Sequence, residues 1–264
     1  MMRAAPAGRA VAFDDGPGLR RLGLIALATD LTLELDAAAV LAGGEVALHV
    51  TRIAFENPVT ARSLEAMAPA LAGAASRLLP GERLDALAFG CTAASAAIGD
   101  AAVRAALTAE RPQVPCVTPT SALLDATRAL GVRRLAVLAP YTEPVARDLA
   151  AYLERQGLEV TALTWLDVDD DRAIARISPA TIVAAAADAL DPQAEALFCS
   201  CTALRARALV PSLEERLGKP VLTSNQVLLW RALTHAGAAP ASPLSTHLPS
   251  PVEVARRRGA ASSR

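Results

Sequence analysis

Two Cys-Thr dipeptides each follow a short apolar run: Cys91-Thr92 in ALAFGCTAAS and Cys201-Thr202 in ALFCSCTALR. Two thiols on opposite sides of one small molecule can carry out paired proton chemistry. One thiolate removes a proton while the opposite thiol donates one, or a thiolate attacks an electrophilic carbon directly. The same residues also fit two packing cysteines, because Cys is among the most buried residue types. The repeated context, one Cys-Thr at the end of an apolar run in each half of the chain, favours chemistry. A free thiol titrates at about 8.5, so such a site is expected to lower that value through helix N-termini and hydroxyl neighbours.

Further side chains stand at the same kind of position. Thr92 and Thr202 can hydrogen-bond a carboxylate or enediolate, or cap a helix. Tyr141 follows the apolar run Leu135–Ala139 and is one of two tyrosines; a half-buried amphipathic tyrosine is the alternative. Asp30 ends the first apolar run and is either a pocket carboxylate or a helix N-cap with Glu34 behind it. Arg52 reads as a surface arginine, with the grip on a distal carboxylate as the lesser reading. Asn225 is a pocket group or the N-cap of the last helix. The run Asp167, Asp169, Asp170 and Asp171 invites a metal reading, but no His joins it, and solvated loop charge fits better. Cys116 and Cys199 read as packing. The histidines His49, His235 and His247 form no Ser-His-Asp pattern, no Gly-rich phosphate loop follows a strand, and no metal site is expected.

These groups need strands that deliver them and helices that cover the strands. Apolar residues make up 53% of the 264-residue chain, enough for a sizeable core. Short apolar runs alternate with longer helical patterns, which predicts an α/β protein with mostly parallel sheets. Strands are expected at Arg21–Ala28, Glu45–Ile53, Asp85–Gly90, Arg134–Ala139, Glu159–Leu166, Ala194–Ser200 and Pro220–Thr223. Helices are expected at Ser63–Leu79, Ala93–Ala109, Thr120–Leu130, Thr142–Gln156, Ser178–Leu190, Val210–Leu217 and Asn225–Ala236. Two halves follow: residues 21–119 with 206–237, and residues 120–205. Residues 1–20 and 238–264 are expected to be flexible termini. In open α/β sheets ligands bind beyond the carboxyl ends of the strands. A helix starting after each Cys-Thr would aim N–H groups at that site.

Charge and composition exclude other classes. Net charge is −1 and aromatics are 3%, so neither a basic nor a base-stacking surface for nucleic acid is present. No apolar stretch reaches the roughly 18 residues of a membrane span. Asp14 and Asp15 lie where an export signal would be apolar. Four unpatterned cysteines fit free thiols in a reducing cytoplasm.

The segments ATDLTLELD, FGCTAAS, PCVTPTSALLDATRALGVRRLAVLAPYTEPV, SCTALRA and GKPVLTSNQVLLWRAL together resemble the aspartate/glutamate racemase superfamily. The resemblance runs from Leu22 to about Gly237. It is strongest to the branch of arylmalonate decarboxylase, maleate cis-trans isomerase and ectoine-utilisation racemase-like proteins. It implies two pseudo-symmetric Rossmann- or flavodoxin-like halves with the active site between them, no cofactor, a small carboxylate substrate and a homo-oligomer. It further implies that Cys91 and Cys201 are catalytic and that Asp30, Thr92, Thr118, Tyr141, Thr202 and Asn225 bind substrate. Arylmalonate decarboxylases carry glycine at the first cysteine position, so Cys91 counts against decarboxylation. Maleate isomerases carry asparagine at the Asp30 position. An aspartate there favours an amino acid or N-substituted derivative and so racemisation, with maleate isomerisation as the alternative. A relation to ectoine catabolism, or a non-catalytic ligand-binding role, is implied by the resemblance alone.

Overall fold

The computed structural model describes residues 11–13, 18–241, 244 and 247–262. The first half runs β1 (Arg20–Leu27), α1 (Leu33–Leu41), β2 (Val46–Ile53), α2 (Ala61–Glu65), α3 (Ala70–Arg77), β3 (Ala86–Phe89), α4 (Thr92–Ile98), α5 (Asp100–Glu110), β4 (Cys116–Val117) and α6 (Pro119–Leu130). The second runs β5 (Arg134–Ala139), α7 (Glu143–Arg155), β6 (Glu159–Trp165), α8 (Asp171–Ile174), α9 (Pro179–Ala189), β7 (Ala196–Cys199), α10 (Val210–Leu217), β8 (Val221–Thr223) and α11 (Ser224–Ala236), followed by α12 (Pro251–Ser262). Two four-stranded sheets form, with orders β2-β1-β3-β4 and β6-β5-β7-β8. Every pairing is parallel. The fold is therefore α/β with the same strand order twice. No helix among the described residues is long and apolar enough to cross a membrane.

The central strands are short and apolar because helices cover both faces. Leu24, Ile25, Leu87 and Phe89 in the first sheet, with Leu135, Val137, Leu138 and Phe198 in the second, are fully buried. Gly131 closes α6 in the left-handed conformation, as its position predicts.

Four expectations are corrected. The helix expected over 63–79 is two helices, α2 and α3, because Pro69 would collide with the carbonyl of residue 65 in a continuous one; it stands instead at the N-cap of α3. The helix expected over 93–109 divides at Gly99, whose φ of 88° ends α4 and starts α5. The half boundaries shift too. Strand β8 pairs with β7 in the second sheet, while α11 packs on β3, β1 and α6. Residues 206–237 are thus shared between the halves rather than part of the first.

The tail is the fourth. Trp230 is fully buried on α11, and its indole N–H needs an acceptor. It donates to Pro249 O at 2.8 Å, and Gln226 Nε2 donates to Leu244 O at 2.6 Å. Beyond them α12 packs against α11. Residues 1–10, 14–17, 242–243, 245–246 and 263–264, part of the segments expected to be flexible, lie outside the described residues.

Candidate active site

The carboxyl ends of β1, β2, β3, β5, β6 and β7 converge on one cavity, where ligands of open α/β sheets bind. It is lined by Leu27, Phe55, Val59, Leu64, Cys91, Thr92, Ala93, Tyr141, Asp171, Cys201 and Thr202. Its volume is about 10 Å³, room for about one water molecule. A substrate must therefore displace part of the cover. That cover is the loop after β2, which supplies Phe55 and Val59, together with Leu64 of α2. Val59 N–H donates to Asp169 O at 2.7 Å, and Asp171 N–H donates to Asn57 Oδ1 at 3.1 Å. Loops from the two halves are thus tied over the cavity.

Strand β3 delivers Gly90 and Cys91. Gly90 is required by packing, since a Cβ there would lie 2.1 Å from Leu33 Cδ2. Cys91 is itself the N-cap of α4, its Sγ accepting from Ala94 N–H at 3.5 Å. Burial nevertheless pushes the Cys91 thiol up to about 12, with the charges of Asp171 and Asp30 adding to the rise and the Ala94 and Ala93 N–H groups opposing it. The expectation of a lowered thiol is overturned: one short helix end does not offset desolvation.

Cys201 is reached differently. No α-helix starts after it; the chain turns, and Cys201 holds a φ of 89°. A left-handed backbone at a non-glycine residue costs about 1–2 kcal/mol, so its surroundings must enforce it. They do so on three sides. Ser200 N–H donates to Leu138 O at 2.8 Å, Asn225 Nδ2 donates to Thr202 O at 2.8 Å, and Thr32 Oγ1 donates to Ala203 O at 2.6 Å. Burial, then the charge of Asp171, holds the Cys201 thiol well above its ordinary value, while Ala203 N–H and the Tyr141 hydroxyl pull it back. Both thiols are neutral in the closed site.

Tyr141 is buried with its hydroxyl 3.2 Å from Ser200 Oγ. Burial and the two neighbouring cysteines raise it well above the ordinary tyrosine range, so it serves as a neutral hydrogen-bond donor. Thr92 Oγ1 donates to Ser224 Oγ at 2.7 Å, and Thr202 Oγ1 donates to Gly90 O at 3.1 Å across the halves. Neither threonine caps a helix. Both line the cavity.

Asp30 is not the helix N-cap of its alternative reading, because the N-cap of α1 is Thr32; Asp30 braces the helix entry from two residues upstream. Its Oδ1 accepts from Thr32 N–H at 2.7 Å and Leu33 N–H at 2.8 Å, opening α1. Its Oδ2 is buried with no hydrogen-bond partner. Burial raises the Asp30 carboxyl, and the Leu33 and Thr32 N–H groups, the Thr202 side chain and Arg52 counter it. Arg52 grips no ligand position. Its guanidinium donates to the carbonyls of Leu27 at 3.0 Å and Asp30 at 2.9 Å, and to Glu34 at 2.9 Å, bracing the loop after β1.

Three predicted binding residues, Asp30, Thr118 and Asn225, lie outside the cavity lining. Thr118 caps α6 and hydrogen-bonds Asp100 and Ser121, because its hydroxyl is claimed by the helix N-terminus. Asn225 joins Thr202 O to Asp36 Oδ2, each at 2.8 Å, and so positions the Cys201 turn; Thr223, not Asn225, caps α11. Cys116 and Cys199 lie outside the cavity lining, Cys199 fully buried in β7. Among the described residues no group of three or more His, Cys, Asp or Glu is placed to hold a metal ion.

Sequence reading missed Asp171. The acidic run was expected to be solvated, yet Asp171 is 6% exposed. It accepts from Thr29 Oγ1 at 2.6 Å. Burial raises it from 3.8 to about 6, with Thr29 lowering it and Asp30 and Asp170 raising it further. One signal was available: Asp171 and the buried Ile174 stand three apart on α8, hence on one face.

The arylmalonate decarboxylase family profile matches residues 70–248. Arylmalonate decarboxylase from Bordetella bronchiseptica is 37% identical over 142 residues, covering 52% of this chain and 59%, less than two thirds, of that protein. Maleate isomerase from Nocardia farcinica is 30% identical over 219 residues, 78% of this chain and 86% of that protein. The fold is similar to a cysteine-to-serine mutant of the Nocardia farcinica maleate cis-trans isomerase with a covalently bound succinylcysteine intermediate. The TM-score is 0.77 at 25% identity, covering 91% of this chain and 99% of that one. A liganded double mutant of arylmalonate decarboxylase, glycine to cysteine and cysteine to serine, also scores 0.77 at 26% identity, covering 87% and 98%.

Proposed function

The chain belongs to the family shared by arylmalonate decarboxylase and maleate isomerase, and from that premise we propose that it is an isomerase of a small carboxylate in which Cys91 and Cys201 do the chemistry. The observation that carries the reading is the pairing of these two thiols in one closed cavity with Tyr141 and Asp171.

Cis–trans isomerisation of an α,β-unsaturated carboxylate has the best support, because the relatives include maleate isomerases and one structure of a relative holds a succinylcysteine adduct. Cys91, with two N–H groups at its sulfur, is the nucleophile. Its proton passes to the Asp171 carboxylate. The sulfur then adds to the alkene carbon, the double bond becomes single, and its electron pair moves onto the substrate carboxylate as an enediolate. Rotation follows; the pair returns, the C–S bond breaks with its electrons staying on sulfur, the trans alkene leaves, and Cys91 takes its proton back from Asp171. Tyr141 and the neutral Cys201 thiol donate hydrogen bonds to the developing charge, the interaction that most lowers such a barrier.

Racemisation of an amino acid or N-substituted derivative is the second reading. Acidic groups without a cation in the lining favour it, with Cys91 and Cys201 exchanging the Cα proton. Proton NMR in D₂O separates the readings, using the reduced protein with maleate, amino acids and N-acyl diamino acids. Conversion of a cis to a trans alkene that needs Cys91 supports the first. Loss of a Cα proton signal that needs both cysteines supports the second. Turnover undiminished in Cys91→Ser and Cys201→Ser variants removes both.

A further inference from the structure

Three side-chain hydroxyls line the cavity, those of Thr92, Tyr141 and Thr202. Two of them spend their protons elsewhere: Thr92 Oγ1 donates to Ser224 Oγ, and Thr202 Oγ1 donates to Gly90 O. Whether any hydroxyl is left to donate to a bound carboxylate is therefore decided at Tyr141. Its hydroxyl lies 3.2 Å from Ser200 Oγ, a pair in which either oxygen can be the donor. Ser200 is fully buried one residue before Cys201, stands outside the cavity lining, and donates its N–H to Leu138 O. Among the described residues its hydroxyl has no hydrogen-bond partner except Tyr141. Each hydroxyl carries one proton and can also accept. If Tyr141 donated to Ser200, the serine proton would be buried without an acceptor, at the full cost of its desolvation. If Ser200 donates, both protons are used, since the tyrosine proton then faces the cavity and its acceptors.

We infer that Ser200 is a positioning residue: donating to Tyr141 Oη from outside the cavity, it turns the tyrosine's single proton inward, toward Cys201 and the substrate carboxylate. Its own hydroxyl reaches no substrate. A hydroxyl whose oxygen already accepts a hydrogen bond is the stronger donor, so Ser200 also strengthens the interaction that it directs. The inward proton serves the Cys201 sulfur as well, whose thiol burial raises and the Tyr141 hydroxyl pulls back. The direction of the proton stands on the hydrogen-bond geometry; its use in turnover rests on the two-thiol reading of the site.

The test reads Cys201 against Cys91, so that a change in access to the shared cavity cancels. Alkylation by iodoacetamide at about pH 8.5, near the ordinary thiol value, is followed in the native chain, Ser200→Ala, Tyr141→Phe and the double variant. Initial rates for both cysteines come from their peptides in the mass spectrometer. Ser200→Ala is expected to lower the Cys201-to-Cys91 rate ratio about threefold, because the donor that steadies the Cys201 thiolate is weakened. In the Tyr141→Phe chain the ratio is already low, and adding Ser200→Ala is expected to leave it unchanged. A ratio that rises in Ser200→Ala means that the serine was taking the tyrosine proton, and one that does not move means that no direction was imposed; either overturns the inference. So does an equal fall in the Tyr141→Phe background, which marks an effect of Ser200 on its chain neighbour instead of on the tyrosine. In turnover, Ser200→Ala is expected to lower kcat about tenfold with KM nearly unchanged, and to add nothing to Tyr141→Phe. A rate ratio that falls while kcat holds leaves the proton's direction standing and removes Tyr141 from the chemistry.

Discussion

Replacing Asp171 by Asn removes a buried acid while keeping an oxygen that accepts from Thr29. The carboxyl moves from 3.8 to about 6 on folding, so the folded state binds the proton more tightly than the unfolded chain does. For an acid raised in this way, stability falls as pH rises between those two values. A shift of about 2 units is about 3 kcal/mol of destabilisation at pH 7.5, where Asp171 is ionised in both states. At pH 5 about half of that penalty is gone, because the folded carboxyl is mostly protonated there. The Asn variant is therefore expected to unfold at higher urea than the native chain at pH 7.5, by up to about 3 kcal/mol, with a gap that narrows as pH falls toward 4. Urea unfolding followed by circular dichroism at pH 5, 6, 7 and 8 measures it. A variant less stable than the native protein at pH 7.5, or a gap independent of pH, refutes the argument. The same variant is expected to lose turnover, since the proposed acceptor for the Cys91 proton is gone; gain of stability with loss of function marks a group kept for chemistry.

Three more outcomes follow from the packing around the thiols. With Cys91 held up to about 12, its alkylation by iodoacetamide, read peptide by peptide in the mass spectrometer, should accelerate about tenfold per pH unit from 7 to 9; a plateau in that range would show a thiol already ionised. Gly90→Ala forces its Cβ against Leu33 Cδ2 and should cost about 1–3 kcal/mol by overpacking, with thermal melting as the readout; an unchanged melting temperature means Leu33 swings aside freely. Asn225→Ala leaves Thr202 O and Asp36 Oδ2 each short of a donor and should cost about 1–3 kcal/mol. It should also lower kcat more than it raises KM, because it loosens the Cys201 turn without touching substrate; an effect on KM alone would place Asn225 in contact with ligand.

Local pattern reached the strands and what they carry. Arg134–Ala139 and Val210–Leu217 match the structure residue for residue, and Cys91, Tyr141 and Cys201 emerge at strand ends as the apolar runs require. Breaks inside helices were less legible because one residue decides each: Pro69 forbids a continuation, and Gly99 permits a turn. The tail was misread for a different reason. Its order comes from Trp230 and Gln226 on α11, which no feature of residues 238–264 announces.

The roles of the polar residues depended on long-range partners. Thr118 has the residue type and strand-end position of a ligand group, yet its hydroxyl belongs to α6 and Asp100. Asp171 has the sequence context of a solvated acid, yet it is buried by contacts from the other half: Thr29 holds its carboxyl and Asn57 takes its N–H. That double attachment ties the cover of the site to its chemistry. The loop that closes the cavity is bonded to the backbone of the residue whose carboxyl sits with both thiols. Closure desolvates Cys91, Cys201 and Asp171 together, which raises the thiols and brings the carboxyl near neutral range. The strand ends thus place both thiols, while the loop after β6 brings the proposed proton acceptor, Asp171, into the same cavity.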